Sequence, residues 1–517
     1  MRRVCLSAGT GAAVMVRNVN IEALRGQPVI VGAGIAGLLV ALHMGEAPCV
    51  LVSAAAMSAA GALSCDVARQ LGVGETTDTR AELTLRKGEG LASPEVVQLI
   101  AGRMEHARMT LQSFGVSVED AGTPVSNAGL HLALLKAVAR RPNITIISPA
   151  LARRLVLVDE QVRGLVIASG EHSIILGTDA VIMAGGGAGG LYGEQLLPPT
   201  SVGTGLALAA RAGAVLADPE LVWFHPFALS SPATAGTGDT LPLGLCTNRA
   251  VLFDEQGQRV EVASSPEALS RTIFQYQQHN RAVFLDLRRT LANGVQLAGS
   301  EIDELAAACR RAGIDPQQAA IPVRAAAAFH IGGVRATPEG VTSLAGLWAC
   351  GESACTGFHG AAIHEGNPLL EAVVCSELVA QSIGRRVRLP DVDVSDVEPL
   401  ASLQHGCLEM IGKTLRAAMG PLRDKAGLMR AISQISAFAE YDDGALVAQM
   451  MLLGALEREE SRGVHGRTDF PSRASVARHT GLTEEDVGNA IKSLLLPQEL
   501  EDVGAFGMSF GPAPQAS

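Results

Sequence analysis

Short apolar runs that end in clusters of glycine recur along this sequence. The first run, residues 28–31, is followed by the pattern G-x-G-x-x-G at residues 32–37 and by a helix-like apolar stretch at residues 38–44. A strand, a glycine turn and a helix in this order are typical of dinucleotide-binding folds, because the glycines let the backbone approach a pyrophosphate and the helix N-terminus offers unpaired N–H groups. The pattern therefore predicts a dinucleotide site directly after the first strand.

Later runs indicate which dinucleotide binds. The next predicted strand, residues 49–52, ends at Ser53, where a NAD-binding fold carries an acidic residue for the ribose. Residues 179–187 and 344–352 are again predicted strands that run into glycine turns, and the second turn ends in the acid Glu352. Three such turns spread along the chain suit a long, two-lobed cofactor, whereas nicotinamide enzymes usually concentrate their contacts in one contiguous domain. We therefore expect FAD rather than NAD.

The last third of the chain is predicted to be mainly helical. Asn367 as N-cap and Pro368 at the first helical position begin a strong helix, whose positive end would stabilise an anionic reduced flavin. An acidic, proline-flanked linker at residues 391–399 follows, and residues 403–456 carry apolar positions at i, i+3 and i+4 spacing. The charged run at residues 457–460 is expected on a solvated helix face.

Composition excludes several classes of protein. The 517 residues are 48% hydrophobic and include 57 glycines, which suits an α/β nucleotide-binding protein and excludes wholesale disorder. The net charge of −11 argues against a basic nucleic-acid surface. The nine cysteines form no C-x-x-C pair, and no apolar stretch has the character of a membrane span. We expect a cytoplasmic protein with reduced thiols, no metal site, no nucleic-acid partner and no membrane span.

Taken together, these motifs resemble the fumarate reductase and succinate dehydrogenase flavoproteins, and within that family the L-aspartate oxidases. The resemblance extends over residues 27–471, most of the chain. The stretches that carry it are residues 29–37, residues 203–229 with Phe224-His225-Pro226, residues 327–334 with Phe329-His330-Ile331-Gly332-Gly333, residues 346–371, and residues 458–465 with residues 469–471. The C-terminal stretches, residues 458–465 and 469–471, are similar to the helical domain of L-aspartate oxidases in particular.

The resemblance implies a fold in three parts. An α/β FAD-binding Rossmann-like domain would be made of two segments, residues 1–221 and 334–395, and would hold FAD noncovalently. An α+β capping domain, residues 222–333, would close over the flavin ring. Residues 396–517 would form a C-terminal helical domain.

The same resemblance implies a reaction and its partners. The reaction would be FAD-dependent oxidation of L-aspartate to iminoaspartate, with O2 reduced to H2O2 or with fumarate as the acceptor. In that family this is the first step of de novo NAD (pyridine nucleotide) biosynthesis through quinolinate, and the product would be channelled to quinolinate synthase.

The residues of the expected site are carried over position by position. The expected catalytic residues are Arg271, His225 and His330. The expected FAD contacts are Gly32, Ala33, Gly34, Ile35, Ala36 and Gly37 at the pyrophosphate, Ser53 at the ribose, Ala60, Gly61, Ser64, Cys65 and Asp66 along the ring, Thr204, and Glu352, Pro368 and Leu369 at the ribityl chain and ring. No residue is expected to bind a metal.

Two arginines of the family's pocket are replaced in this chain. The family's catalytic arginine falls on Pro266, and its substrate-binding arginine falls on Ile363. A Thr-Glu-x-x-Arg-Gly-Glu-Gly stretch that lines the family's pocket corresponds to residues 242–249, without the Thr, the Glu residues or the Arg. Two alternatives therefore stay open: a flavoprotein of the same fold with a less acidic substrate, and a catalytically inactive paralogue. The candidates for substitute cations are Arg249, Arg271, Arg324 and His364.

Overall fold

The structure is a computed structural model. It describes residues 21–55, 70–72, 74–116, 118, 127–169, 172–193, 196–197, 200–230, 239–246, 251–261, 265–292, 299–389 and 407–502. The expected flavin contacts Ala60, Gly61, Ser64, Cys65 and Asp66 lie outside these ranges, as does the candidate cation Arg249.

Strands and helices alternate over the first half of the chain, and helices dominate the end. The strands are β1 (Val29–Val31), β2 (Cys49–Val52), β3 (Ile144–Ile147), β4 (Leu151–Val158), β5 (Gln161–Ser169), β6 (His172–Gly177), β7 (Val181–Met183), β8 (Leu216–Ala217), β9 (Val222–Leu229), β10 (Val251–Asp254), β11 (Arg259–Val260), β12 (Val283–Asp286), β13 (Ile321–His330), β14 (Gly333–Arg335), β15 (Leu347–Ala349), β16 (Ala354–Cys355) and β17 (Gly481–Leu482). The helices are α1 (Ile35–His43), α2 (Thr77–Gly88), α3 (Pro94–Ala101), α4 (Met104–Ser113), α5 (Asn127–Ala139), α6 (Thr204–Arg211), α7 (Pro266–Gln278), α8 (Arg288–Ala292), α9 (Gly299–Ala312), α10 (Asn367–Arg385), α11 (Leu408–Ala418), α12 (Lys425–Ser436), α13 (Asp443–Glu457) and α14 (Glu484–Asp502).

A parallel five-stranded sheet places the three predicted glycine turns side by side. Its strand order is β15-β7-β1-β2-β3, and every neighbouring pair is parallel. The strands β1, β2 and β7 are short runs of buried apolar residues, as expected for a parallel sheet that is covered on both faces. Because β1, β7 and β15 are adjacent, the turns that follow them meet at one edge of the sheet.

A second, antiparallel sheet lies within the segment expected to form a cap. Its strand order is β11-β10-β12-β13-β9. The helix α7 packs against β9, where the Ser270 hydroxyl donates to the main-chain O of Phe224 (2.7 Å). In the ladder between β9 and β13, Trp223 lies opposite Phe329 and His225 lies opposite Ala326. Two smaller sheets, β4-β5-β6 and β16-β14-β8-β17, complete the sheet topology that the structure describes.

The C-terminal part is helical, as the apolar spacing predicts. The predicted helical stretch 403–456 contains α11 and α12 and all but the last residue of α13. The side chains of Asp424 and Asp442 cap α12 and α13 by accepting main-chain N–H bonds three residues on (2.8 and 2.9 Å). Because α13 is apolar on every side, residues 443–455 are all buried. Among the helices described, none is long and apolar enough to cross a membrane.

Candidate cofactor and substrate site

The first glycine turn leaves open space where a pyrophosphate would lie. A Cβ on Gly32, whose φ is +116°, would overlap the main-chain O of Ala184, and a Cβ on Gly37 would overlap the O of Gly32. These two glycines are therefore needed for close packing of the turn. Gly34 is different, because a Cβ there would have no protein atom within 4 Å. The turn between β1 and α1 thus has the cradle that a dinucleotide requires at its second glycine.

The other two glycine turns touch the first. Gly351, which follows β15 and has a φ of +62°, approaches Ala36 so closely that a Cβ there would lie 2.7 Å from the Ala36 Cβ. A Cβ on Gly187, after β7, would lie 2.9 Å from Oε1 of Glu352. The structure therefore brings together turns that are about 150 residues apart or more along the chain, and this agrees with a single extended ligand along the sheet edge.

Glu352 is a buried acceptor at this edge. Its Oε1 accepts the main-chain N–H of His330 (2.9 Å). Burial raises the pKa of Glu352 to about 7, although hydrogen bonds from the main chain of His330 and Gly187 and the nearby His359 oppose the shift. A carboxyl in this setting can accept a hydroxyl hydrogen bond from a ribityl chain.

The remaining expected FAD contacts lie around the same edge. Ser53 follows β2, and its hydroxyl donates to the O of Ala55 (2.8 Å). Thr204 begins α6 after Gly203, whose N–H donates to the O of Gly187 (3.1 Å). Pro368 and Leu369 lie in the first turn of α10, and Leu369 is buried.

The predicted N-cap of α10 is wrong by one residue. The cap is Gly366, with a φ of +85°, and Asn367 is the first helical residue. Asn367 is buried and uses its side chain elsewhere, because its Nδ2 donates to Thr84 (2.8 Å) and its Oδ1 accepts from Arg80 (3.2 Å). Arg80 also donates to the O of Glu365 (2.7 Å) and thereby fixes the start of the helix. Sequence reasoning missed Arg80, since nothing in α2 distinguishes it from a surface arginine.

His225 has one ring nitrogen available for a ligand. Its Nδ1 accepts the main-chain N–H of Phe227 (3.1 Å), so the neutral ring carries its proton on Nε2. Burial lowers the pKa of His225 to about 3, which keeps the ring neutral at physiological pH. Within the described ranges Nε2 has no hydrogen-bond partner. His225 is therefore a neutral N–H donor on β9.

Both ring nitrogens of His330 form hydrogen bonds with the main chain. Its Nδ1 accepts the N–H of Ala188 (3.3 Å), and its Nε2 donates to the O of Pro219 (2.9 Å). Burial lowers the pKa of His330 to about 4. With both nitrogens engaged, its ring links the turn after β7 to the segment before β9 and has no polar atom left for a substrate.

The burial of His330 predicts an acid-dependent loss of stability. In the unfolded chain His330 takes up a proton as the pH falls below its ordinary pKa of 6.5. In the folded chain the same ring stays neutral until about pH 4. The free energy of unfolding should therefore fall as pH drops from 6.5 to 4, by at most about 1.4 kcal/mol per pH unit for this group. Urea unfolding of His330→Gln at several pH values should give a shallower dependence on pH than the unsubstituted protein gives. His279→Gln, at an exposed position, is the control, and equal slopes in all three proteins would contradict the assignment.

A histidine–carboxylate pair that sequence reasoning missed lies beside His330. His359 is buried with its Nε2 2.9 Å from Oε2 of Glu371, whose other oxygen accepts from the hydroxyl of Thr356. The ring of Phe329 meets that of His359 edge-on at 5.4 Å. Glu371 stood within a recognised motif, but its partner could be identified only from the structure.

Comparisons with known proteins agree with this geometry. Residues 118–369 match a family described as an FAD binding domain, and residues 430–494 match one described as the fumarate reductase flavoprotein C-term. The L-aspartate oxidase of Mesorhizobium japonicum is 37% identical over 90% of this chain and 96% of its own length. That of Agrobacterium fabrum is 34% identical over 89% of this chain and 94% of its own length.

This chain belongs to the L-aspartate oxidase family. Among solved structures, E. coli quinol fumarate reductase FrdA has a TM-score of 0.73 at 21% identity, covering 89% of this chain and 94% of that one. Mycobacterium smegmatis Sdh1 has a TM-score of 0.71 at 19% identity, covering 88% and 94%. These likenesses confirm the predicted fold class, an α/β FAD-binding domain with an α+β cap and a helical C-terminal part. The prediction of FAD as the cofactor is confirmed as well.

The two positions at which this L-aspartate oxidase family member lacks an arginine have clear local roles. Pro266 is the first residue of α7, and Ser265 caps that helix by accepting from the N–H of Ala268 (3.2 Å). Ile363 packs against a buried apolar cluster that includes Trp223 and Ala362. Both residues therefore stabilise the fold where the family resemblance predicts a charge.

The candidate substitute cations lie in different environments. Arg271, in α7, donates from Nη2 to the main-chain O of Gly463, while its buried Nε has no partner among the described residues. Burial lowers the pKa of Arg271. Arg324 is half-buried in β13, paired in the ladder with Ala228. His364 lies with its Nε2 3.6 Å from Oε1 of Glu75, so a carboxylate already faces it.

The charged run at residues 457–460 is only partly solvated, because Glu457 and Glu459 are exposed whereas Arg458 and Glu460 are buried. The helix ends at Glu457, so the prediction of a solvated helix face is wrong for Arg458 and Glu460. Arg458 is buried and contacts Asp218 (3.0 Å), Glu220 (2.7 Å) and Glu460 (3.1 Å). Asp218 and Glu220 directly precede β9, so this cluster joins the C-terminal part to the base of the antiparallel sheet. Arg458 can be buried because carboxylates distant in sequence neutralise its charge.

Proposed function

We propose that this chain is an FAD-dependent oxidase that converts L-aspartate to iminoaspartate. The observation that carries the proposal is the open cradle at Gly34, which fits FAD, in a chain 37% identical to an L-aspartate oxidase over 90% of its length. The substrate is a small molecule, and its oxidation breaks the Cα–H bond and one N–H bond, which removes two electrons and two protons and leaves a C=N double bond. When bound, FAD supplies the acceptor for the electron pair.

The proposed roles of the residues follow from their chemistry. Residues 32–37 hold the pyrophosphate, and Glu352 accepts a ribityl hydroxyl. Ser53 lies at the ribose, and the wall of the FAD site is completed by Thr204, Pro368 and Leu369. The free Nε2–H of His225 donates to a substrate carboxylate, and Arg271 supplies positive charge. His330 acts as a positioning residue, because both of its ring nitrogens bind the main chain.

The proposal includes an acceptor and a destination for the product. Electrons pass finally to O2, giving H2O2, or to fumarate. Iminoaspartate is an unstable imine, so a condensing enzyme must consume it promptly, and quinolinate synthase is the partner that the family resemblance implies. The buried free thiols of Cys49, Cys309, Cys350 and Cys375 support a reducing compartment such as the cytoplasm.

Peroxide production tests the function directly. The purified protein, reconstituted with FAD, is expected to form H2O2 from L-aspartate in air, and iminoaspartate should appear in equal amount. D-Aspartate should give no more peroxide than a blank, since the two enantiomers place the Cα hydrogen on opposite faces. A flavin-loaded protein that forms no H2O2 with L-aspartate would overturn the proposal.

A second candidate is favoured by one observation. Ile363, Ala361, Ala362, Trp223 and Phe329 belong to the same apolar cluster at the predicted substrate wall. This lining suits an amino acid with a less acidic side chain. The peroxide assay with L-asparagine and L-methionine separates the two candidates, because turnover of these substrates at a higher kcat/KM than L-aspartate would favour the second.

A further inference from the structure

If the chain oxidises L-aspartate, as proposed above, its pocket must hold two carboxylates. Each carboxylate needs a charge-assisted partner, and a forked guanidinium suits it best. Pro266 and Ile363 supply no charge at the positions where the family resemblance predicts arginines. Other cations near these two positions must therefore take over the task.

Most buried arginines in the described part of the chain are matched by a carboxylate. The matched pairs are Arg80 with Glu75 (2.6 Å), Arg458 with Glu220 (2.7 Å), Arg462 with Glu460 (2.8 Å) and Arg467 with Asp469 (2.8 Å). The buried Arg423 and Arg153 and the half-buried Arg271 differ from these, because within the described ranges none of the three makes a salt bridge. Of these, Arg423 and Arg271 lie close to the replaced positions.

Arg423 and Arg271 bind only uncharged groups. Arg423 is buried and donates to the main-chain O of Gly420 (2.9 Å), the main-chain O of Glu220 (2.8 Å) and Nδ1 of His465 (2.8 Å). Arg271 donates to the main-chain O of Gly463. Each guanidinium keeps one buried N–H group, Nη2 of Arg423 and Nε of Arg271, with no acceptor among the described residues.

The main chain of Arg423 and the side chain of Arg271 approach the same glycine. The main-chain N–H of Arg423 donates to the O of Gly466 (2.9 Å), and a Cβ on Gly466 would lie 2.9 Å from Nε of Arg271. Burial, and to a smaller extent the positive charges of Arg271 and Arg458, lowers the pKa of Arg423 to about 10. Glu220 near Arg423, and Glu267 and Glu89 near Arg271, oppose the lowering of the two pKa values, but in the described part of the chain none of them forms an ion pair with either guanidinium. An anion bound between the two arginines would therefore stabilise the folded state.

We propose that Arg271 and Arg423 form a carboxylate seat, which binds one carboxylate of the substrate through Nε of Arg271 and Nη2 of Arg423. The seat takes over the role of the arginines that Pro266 and Ile363 replace. It makes these two arginines the determinants of preference for a dicarboxylic substrate.

The position of the seat supports this assignment. Arg271 lies on α7, five residues after Pro266, and its partner Gly463 packs on the loop that contains Ile363. The contact is direct, because the N–H of Val464 donates to the O of Ala361 (2.9 Å). Arg271 therefore shares a helix with Pro266, and the segment that it binds contacts the loop of Ile363.

The test uses the FAD-loaded full chain and the variants Arg271→Met, Arg271→Lys and Arg423→Lys. Arg271→Met should raise KM for L-aspartate at least about tenfold, with a smaller effect on kcat, since one charge-assisted contact is lost. Succinate, which has both carboxylates but no amine, should raise the thermal unfolding temperature of the unsubstituted protein but not that of Arg271→Met. In Arg271→Lys the KM for L-aspartate should rise less than in Arg271→Met, and part of the stabilisation by succinate should remain. Arg423→Lys should also raise the KM and weaken the stabilisation by succinate.

Lys87→Met is the matched control. Lys87 binds both oxygens of Glu267 (3.0 Å) at the start of α7, so its loss loosens the same helix and leaves both guanidinium groups of the seat in place. The KM and the succinate effect should stay unchanged in this variant. Equal changes in KM and in stabilisation by succinate in Lys87→Met and Arg271→Met would show that Arg271 has only a structural role, and would contradict the proposed seat.

Two further outcomes separate the possible sources of failure. Stabilisation by inorganic phosphate equal to that by succinate, and lost in Arg271→Met, would show a site for free anions and overturn the substrate assignment. If the flavin-loaded protein oxidises no L-aspartate, the proposed function fails, but the succinate measurements still decide whether the seat exists. If Arg271→Met does not fold, Arg271→Lys and Arg423→Lys decide whether the seat exists. Stabilisation by succinate that is unchanged in both lysine variants would overturn the seat.

Discussion

Replacement of Gly34 by leucine should abolish FAD binding and leave the protein folded. The φ and ψ of Gly34, −72° and −178°, are open to any residue, and its Cβ would point into space free of protein atoms. A side chain there would occupy the pyrophosphate position and block the main-chain N–H contacts, each worth about 1.5–3 kcal/mol to a charged group. Affinity for FAD should fall at least about a hundredfold. Flavin absorbance after reconstitution and equilibrium dialysis measures the loss.

Gly384→Leu is the matched control for this substitution. Gly384 also has no protein atom within 4 Å of a Cβ, but it is exposed near the end of α10. The variant should bind FAD as well as the unsubstituted protein does. Normal flavin content in Gly34→Leu, or equal loss in both variants, would show that the first glycine turn is not where the cofactor binds.

Arg458→Met should lower the free energy of unfolding by about 3–5 kcal/mol. The methionine fills much of the same volume, but Asp218, Glu220 and Glu460 would be left buried without their shared cation. Because Asp218 and Glu220 precede β9, the attachment of the C-terminal part to the antiparallel sheet should weaken first. Urea unfolding followed by circular dichroism measures the change.

Lys413→Met is the corresponding control at the surface. Lys413 pairs with Glu409 at 2.7 Å in α11, but both side chains are largely exposed, so the pair is solvated and its loss should cost less than about 1 kcal/mol. A change of similar size in the two variants would contradict the view that the buried cluster around Arg458 holds the parts of the chain together.

The strand-end glycine turns could be recognised from the sequence, because each turn depends on local backbone requirements. Strands that end in glycine turns must present those turns at their carboxyl ends, and β1, β7 and β15 prove to be neighbours in one parallel sheet. Gly32 and Gly37 are needed for close packing that only glycine permits, so their spacing carries structural information.

Residues whose environment depends on distant partners could not be predicted in the same way. Arg458 resembles a surface residue in its own segment, yet its carboxylate partners Asp218 and Glu220 are about 240 residues away in sequence. His330 lies in a recognised motif, but only the structure shows that Ala188 and Pro219 occupy both of its ring nitrogens. Local sequence therefore indicated neither the burial of Arg458 nor the groups that His330 binds.

Anaerobic titration of the flavin-loaded protein with L-aspartate tests the central claim most directly. We expect L-aspartate to bleach the flavin absorbance, with one equivalent sufficient per bound flavin, and air to restore the colour with formation of H2O2. D-Aspartate should leave the spectrum unchanged. A flavin-loaded protein whose spectrum is not bleached by excess L-aspartate would contradict the assignment as an L-aspartate oxidase.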